Sequence, residues 1–107
     1  MTPYVQVVTT VERKEDGEDI AKTLVERRLA ACVQLVGPIK SMYWWKDEIE
    51  TAKEWLCYIK THESLYDELE EAIKAIHPYE TPEIISLPIL SGSEDYLEWI
   101  HNEIKKA

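Results

Sequence analysis

The chain has 107 residues, enough for one domain with a single apolar core and no covalent staples. Its 21 acidic and 12 basic residues leave a net charge of −9, which excludes a nucleic-acid backbone or an anionic membrane as the main partner, because both need a basic face. No apolar run reaches membrane-spanning length and no leader-like segment opens the chain, so the expected compartment is the cytoplasm.

Residues 4–10 (YVQVVTT) alternate as a short strand, with Val5 and Val7 on one face and Gln6 and Val8 on the other. An amphipathic helix is expected over residues 14–29. Ile20, Leu24, Val25, Leu29 and the stem of Arg28 form its stripe. Glu15, Asp16, Glu18 and Asp19 crowd its start and Arg27 and Arg28 its end, as the helix dipole favours.

From residue 31 to 61 the chain reads as one long β-hairpin turning at Trp45-Lys46-Asp47-Glu48. Cys32, Val33, Leu35, Val36 and Ile39 fill the first arm, and Ile49, Leu56, Tyr58 and Ile59 the second. An arm of about fourteen residues spans roughly 45 Å. A domain of this size is only roughly 34 Å across. The outer half of the hairpin must overhang, and pairing with other copies of the chain is expected. Phenylalanine is absent, so the aromatic role falls to tyrosine and tryptophan. Tyr43, Trp44, Trp45 and Trp55 are the expected anchors of that self-association, since such residues dominate interface hot spots.

A two-residue turn at Lys46-Asp47 pairs Lys40 with Lys53. Continued without interruption, it sets Cys57 opposite Val36 and Cys32 opposite Thr61. The two thiols would then share a sheet face roughly 13 Å apart, beyond disulfide reach. Unpaired thiols fit a reducing compartment. Gly37-Pro38 is expected to bulge or bend the first arm, so this register is secure only near the tip. Both thiols read as packed side chains, Cys57 with Trp55 and Ile59 in an inter-subunit core.

Thr61 or Ser64 is expected to cap a second helix running to about Ile76, with Leu65, Leu69, Ala72, Ile73 and Ile76 as its stripe. Pro78 stops it, and Pro78 and Pro82 stiffen the loop over residues 77–82. Residues 83–90 form a last strand, which Pro88 confines to a sheet edge. Ser93 caps a C-terminal helix striped by Tyr96, Leu97, Ile100 and Ile104. The order β-α-β-β-α-β plus one helix is an α+β, ferredoxin-like pattern filling a single domain over residues 1–107. Right-handed crossovers put the first strand between the third and fourth.

His77 is the leading metal candidate. A neutral imidazole beside Glu80 or Glu83 suits Cu(II) or Zn(II), especially where subunits converge. The competing reading is a helix-ending histidine that bonds a carbonyl and positions the loop. His62 and His101 have no ligand spacing. Lys60 could pair with a small anion in a subunit cleft, against the default of a surface ion pair. Gly17, Gly37 and Gly92 form no phosphate loop, and neither HExxH nor CxxC occurs, so no enzyme is expected.

Arg28-Leu29-Ala30-Ala31-Cys32-Val33, Ser41-Met42-Tyr43-Trp44-Trp45, Ile59-Lys60-Thr61, His77-Pro78-Tyr79-Glu80-Thr81-Pro82-Glu83-Ile84 and Asp95-Tyr96-Leu97-Glu98-Trp99 together closely resemble the CutA family. These are divalent-cation-tolerance proteins, and the resemblance covers essentially the whole chain. It implies a homotrimer joined through long strands, a role in tolerance of copper and other divalent metals, no required cofactor, and a subunit cleft in which Tyr79, Glu80 and Glu83 join Lys60 and His77. Members that bind copper use a Cys near the end of the first strand and a His-His pair before Pro-Tyr. The matching positions here are Thr9 and Ile76-His77, so one of the three ligand types is present. At fold level alone the chain is similar to the trimeric PII signalling proteins, which leaves a metabolite-binding or partner-docking module as the alternative.

Overall fold

In the computed structural model, which describes residues 1–106, the periods of the sequence resolve into eight elements. They are β1 (Tyr4–Val11), α1 (Lys14–Glu26), β2 (Cys32–Trp45), β3 (Glu48–His62), a 3-10 turn (Glu63–Leu65), α2 (Tyr66–Ile76), β4 (Ile84–Pro88) and α3 (Glu94–Glu103). The sheet is antiparallel throughout, in the order β2-β3-β1-β4. Its edges are therefore β2 and β4, as the crossover rule requires, and Pro88 sits on an edge strand. Val5, Val7 and Val11 of β1 join Cys57 and Ile59 of β3 beneath Ile20 and Leu24 of α1 and Leu69 and Ile73 of α2. Each fully buried aliphatic side chain there contributes ~1.5–3 kcal/mol. Tyr4, which alternates away from Val5, packs with Leu65, Ile100 and Ile104 in a second cluster held by α3.

The hairpin closes through Trp45 paired with Glu48, and both turn residues are left-handed, Lys46 at φ 50 and Asp47 at φ 67. That is the twist a two-residue loop needs to match its strands. Strand β1 meets β3 only from Val11 opposite Trp55 inward, so the outer part of β3, from Glu48 to Glu54, pairs with β2 alone. The result is a projecting two-stranded ribbon, and the particle measures 44 × 25 × 22 Å. Such a ribbon is marginal in water by itself.

Lys40 does face Lys53, but the register slips between Val36 and Ile39, where Gly37-Pro38 bulges. Beyond the slip Cys57 faces Leu35 and Cys32 faces Lys60, not Val36 and Thr61. A one-residue slip exchanges faces, so the two thiols lie on opposite sides of the sheet instead of sharing one. Cys57 belongs to the chain's own core and not to an inter-subunit one. Burial pushes its thiol up to about 11, which marks it as packing and not as a nucleophile. Gly37 is required at the bulge, because a Cβ there would stand 2.7 Å from the Trp55 ring.

Helix α1 stops at Glu26, short of residue 29. Arg28 turns left-handed at φ 59, Leu29 N–H donates to the Leu24 carbonyl at 3.0 Å and Arg28 N–H to the Val25 carbonyl at 3.1 Å. This Schellman closure takes Arg28 off the buried stripe, and Val25 is exposed as well. The Arg28 guanidinium instead donates to the carboxylate and the carbonyl of Glu103, both at 3.0 Å, fastening α1 to α3. Arg28→Gly and Arg28→Ala both lose that link, but only glycine enters the left-handed region freely. The glycine variant is expected to be the more stable by about 1 kcal/mol. Urea midpoints of the two variants measure this, and equal midpoints would contradict it.

Neither Thr61 nor Ser64 caps α2. Thr61 is still inside β3 and points inward, where its hydroxyl donates to the Leu29 carbonyl at 2.7 Å. The imidazole of His62 accepts the Ser64 N–H at 3.0 Å and starts the 3-10 turn. Ser93 caps α3 as expected, accepting from Tyr96 N–H at 3.3 Å. Ile76 and Tyr96, both assigned to buried stripes, are exposed at the ends of their helices.

Candidate functional site

Alternation along the ribbon sorts its side chains into two faces. Ser41, Tyr43 and Trp45 stand opposite Ala52, Glu50 and Glu48 on one face, and Glu54 continues that row. Met42 and Trp44 stand opposite Thr51 and Ile49 on the other. Toward the tip the second face is mainly apolar and bare, with Trp44 71% exposed and Met42 and Ile49 comparably open; the Lys40–Lys53 pair continues it inward. The first face is roofed in part by the loop after α2, and the two border an open cavity of about 800 Å³. Five glutamates line it (Glu12, Glu50, Glu54, Glu80 and Glu83), with Tyr43, Trp45 and Tyr79 as aromatic walls. No lysine, arginine or histidine lines it.

The roof is held by His77. Helix α2 ends there because Pro78 follows and disfavours the helical conformation for the residue before it. The His77 Nε2–H donates to the Thr10 carbonyl at 2.9 Å, and Nδ1 accepts the Tyr79 N–H at 3.1 Å. A carbonyl can only accept and an amide N–H only donate, so the ring is the neutral Nε2–H tautomer. Burial holds its pKa below the usual value of 6.5, partly countered by the Thr10 bond and by Asp16 and Glu54. The Tyr79 ring packs edge-on to His77 at 4.7 Å, and its hydroxyl donates to Glu54 at 2.8 Å. Burial first, and then the Glu54 carboxylate, push the Tyr79 phenol far above its ordinary range. Glu54 itself is only 5% exposed.

The residues singled out in the sequence are thus partly gathered. Tyr79, Glu80 and Glu83 meet in the cavity wall with Tyr43 and Trp45, and Trp44 borders it. His77 lies behind the wall with both ring nitrogens engaged. Lys60 is elsewhere, donating to Gln34 at 2.6 Å on the sheet. Trp55 packs against the chain's own core, with the Lys14 ammonium 5.2 Å over its ring. Among the described residues no three His, Cys, Asp or Glu side chains converge as a metal-holding group. Glu12, Glu50 and Glu54 were not singled out in the sequence. For Glu50 and Glu54 the signal was there in β3, where Glu48, Glu50 and Glu54 lie on one face at the strand period.

The family model described as CutA1 divalent ion tolerance protein matches residues 5–103. The rice protein called Protein CutA 1, chloroplastic, is 45% identical over 105 residues, covering 98% of this chain and 59% of that protein. The chain therefore spans less than two thirds of that plant relative's length. The divalent-cation tolerance protein CutA of Thermus thermophilus is 45% identical over 94 residues, covering 88% of this chain and 91% of that protein. The crystal structure of rice CutA1 superposes with a TM-score of 0.95 at 44% identity, over 99% of this chain and 97% of that one. A CutA structure from Archaeoglobus fulgidus, described as periplasmic, superposes at 0.92 with 38% identity, covering 95% of this chain and 99% of that one. The Thermus and Archaeoglobus relatives are named for divalent-cation tolerance and not for an enzymatic activity. No helix among the described residues is long and apolar enough to cross a membrane.

Proposed function

This chain belongs to the CutA1 divalent ion tolerance family, and we propose that it acts as a cytoplasmic homotrimer whose acidic clefts attract divalent cations, copper among them. The observation that carries this reading is the cavity itself: five glutamates and no basic side chain line one space. Oxygen donors that do not converge suit a loosely held, partly hydrated cation and not a tight chelate. Glu80 and Glu83 are the ligands we propose. His77, the ligand expected from the sequence, takes the role of positioning residue, since binding a metal would cost it one of its two hydrogen bonds. Self-association is supported by the bare apolar face of Met42, Trp44 and Ile49 on a ribbon that its own chain leaves unsupported. A reducing compartment is supported by two free cysteines on opposite sheet faces.

Calorimetric titration of the full chain with Cu(II), and separately with Mg(II), at low salt tests the cation site. Sedimentation equilibrium on the same sample counts the chains. Saturable binding is expected, lost in the Glu80→Gln/Glu83→Gln double variant and retained in His77→Gln. No saturable binding to a three-chain particle would reject the cation reading. Binding that survives the double variant would reject these ligands.

A further inference from the structure

We propose that the cleft at the root of the hairpin binds a linear aliphatic polyamine, a chain of ammonium groups separated by methylenes. This goes beyond the divalent-cation reading, whose proposed ligands are Glu80 and Glu83 of the loop, by giving a ligand to Glu50 and Glu54 of the strand.

The first observation is Glu54. It is 5% exposed and lines the cavity, one of its oxygens accepts the Tyr79 hydroxyl, and it forms no ion pair with any described residue. Its second oxygen has no hydrogen-bond partner among the described residues and stays open to the cavity. A carboxylate with so little contact with bulk water favours a counter-charge in the space it faces, and no described residue supplies one. A cation entering the cavity would.

The second observation decides which kind of cation. A tightly held metal ion is a point charge that needs oxygens gathered at about 2.0–2.6 Å, and among the described residues no three ligands gather, which leaves a metal only loose binding at the loop. Glu50 and Glu54 share one face of β3 four residues apart, roughly 13 Å along the strand. Charges strung out at that spacing match ammonium groups strung along a methylene chain. The walls fit the rest of such a molecule: Tyr43, Trp45 and Tyr79 offer apolar surface to the methylenes and ring faces to the ammonium groups. The molecule already uses Trp45 in this way, with the Lys46 ammonium 5.5 Å over its ring. A volume of about 800 Å³ is that of a small-ligand cleft. An anion, the ligand class that Lys60 would have served, meets only repulsion here.

Spermidine is the probe, titrated into the full chain in its native assembly and followed by tryptophan fluorescence and calorimetry. One site per subunit is expected. Glu54→Gln and the exposed Glu50→Gln should each weaken it by about tenfold or more, as loss of a charge-assisted contact implies. Glu18→Gln on the solvent side of α1 should leave it unchanged. Should Glu54→Gln fail to fold, Glu50→Gln against Glu18→Gln decides alone. Equal weakening by all three variants, or none by the cleft variants, would mean diffuse attraction to an acidic protein and overturn the proposal. Copper or magnesium binding without spermidine binding overturns it too and leaves the divalent reading standing. Spermidine binding without metal binding supports it and removes the divalent reading instead.

Discussion

Replacing Trp44 and Ile49 together by alanine is expected to raise the subunit dissociation constant by about 10³-fold or more. The two face each other across the ribbon and project from its open side, where the subunit itself does not cover them. Large side chains at the centre of an interface each cost at least ~2 kcal/mol when truncated. Two of them amount to about three powers of ten. Because both are exposed within the subunit, their loss leaves the core under α1 and α2 intact. Sedimentation equilibrium, with far-ultraviolet circular dichroism as the folding control, measures the outcome. A variant that keeps the mass of the wild-type particle would show that this face is not the one that joins subunits. Tyr43→Ala is the contrast: that residue lies on the cavity face and is expected to disturb ligand binding more than assembly.

The second large effect concerns His77. Truncation to alanine strands the Thr10 carbonyl and the Tyr79 N–H and loosens the roof over Glu54. Two orphaned backbone groups, partly rehydrated, set the expected loss at about 3 kcal/mol. Equilibrium unfolding at pH 7 and fixed protein concentration reads it. The same residue predicts a pH dependence. Burial holds the native imidazole below 6.5, whereas the unfolded chain takes up its proton near that value. The unfolded state therefore binds the proton first, and stability falls as pH drops. This contribution is complete above pH 6.5, is lost progressively down to the native pKa and is constant below it. In His77→Gln this part of the pH profile is expected to flatten. An unchanged slope would place the titrating group elsewhere. A merely solvent-exposed histidine would produce no such slope, so the measurement also separates a positioning role from none.

Much of this architecture was legible in the residues, for physical reasons that act locally. Alternation in β1 and the i, i+4, i+7 stripe of α2 report burial directly, because the period of each element decides which side chains share a face. Pro88 on an edge strand and Ser93 at a helix start follow from one missing donor and one well-placed oxygen. The overhang of the hairpin followed from arithmetic on strand length. Membership in the family came from five blocks in the right order, and the match over residues 5–103 bears it out.

Other features depended on partners distant in sequence. The bulge at Gly37-Pro38 was visible, but how far it displaced the register was settled by the fit of Trp55 over Gly37, and with it the face of each cysteine. Arg28 left its stripe when the helix closed in a left-handed turn, and its guanidinium then found Glu103, 75 positions further on. The role of His77 turned on Thr10, in a strand 67 positions earlier, which takes one ring nitrogen while the loop takes the other. The acidic cleft was least legible of all. Glu80 and Glu83 stood out beside His77, but Glu12, Glu50 and Glu54 come from two other stretches, and each of these alone reads as a solvated surface charge. Sequence by itself determined which side chains face inward along each element, since that depends only on backbone period and side-chain chemistry. Only the tertiary structure decided which charges share one space without a counter-ion, since that depends on distances between strands and loops that no local period encodes.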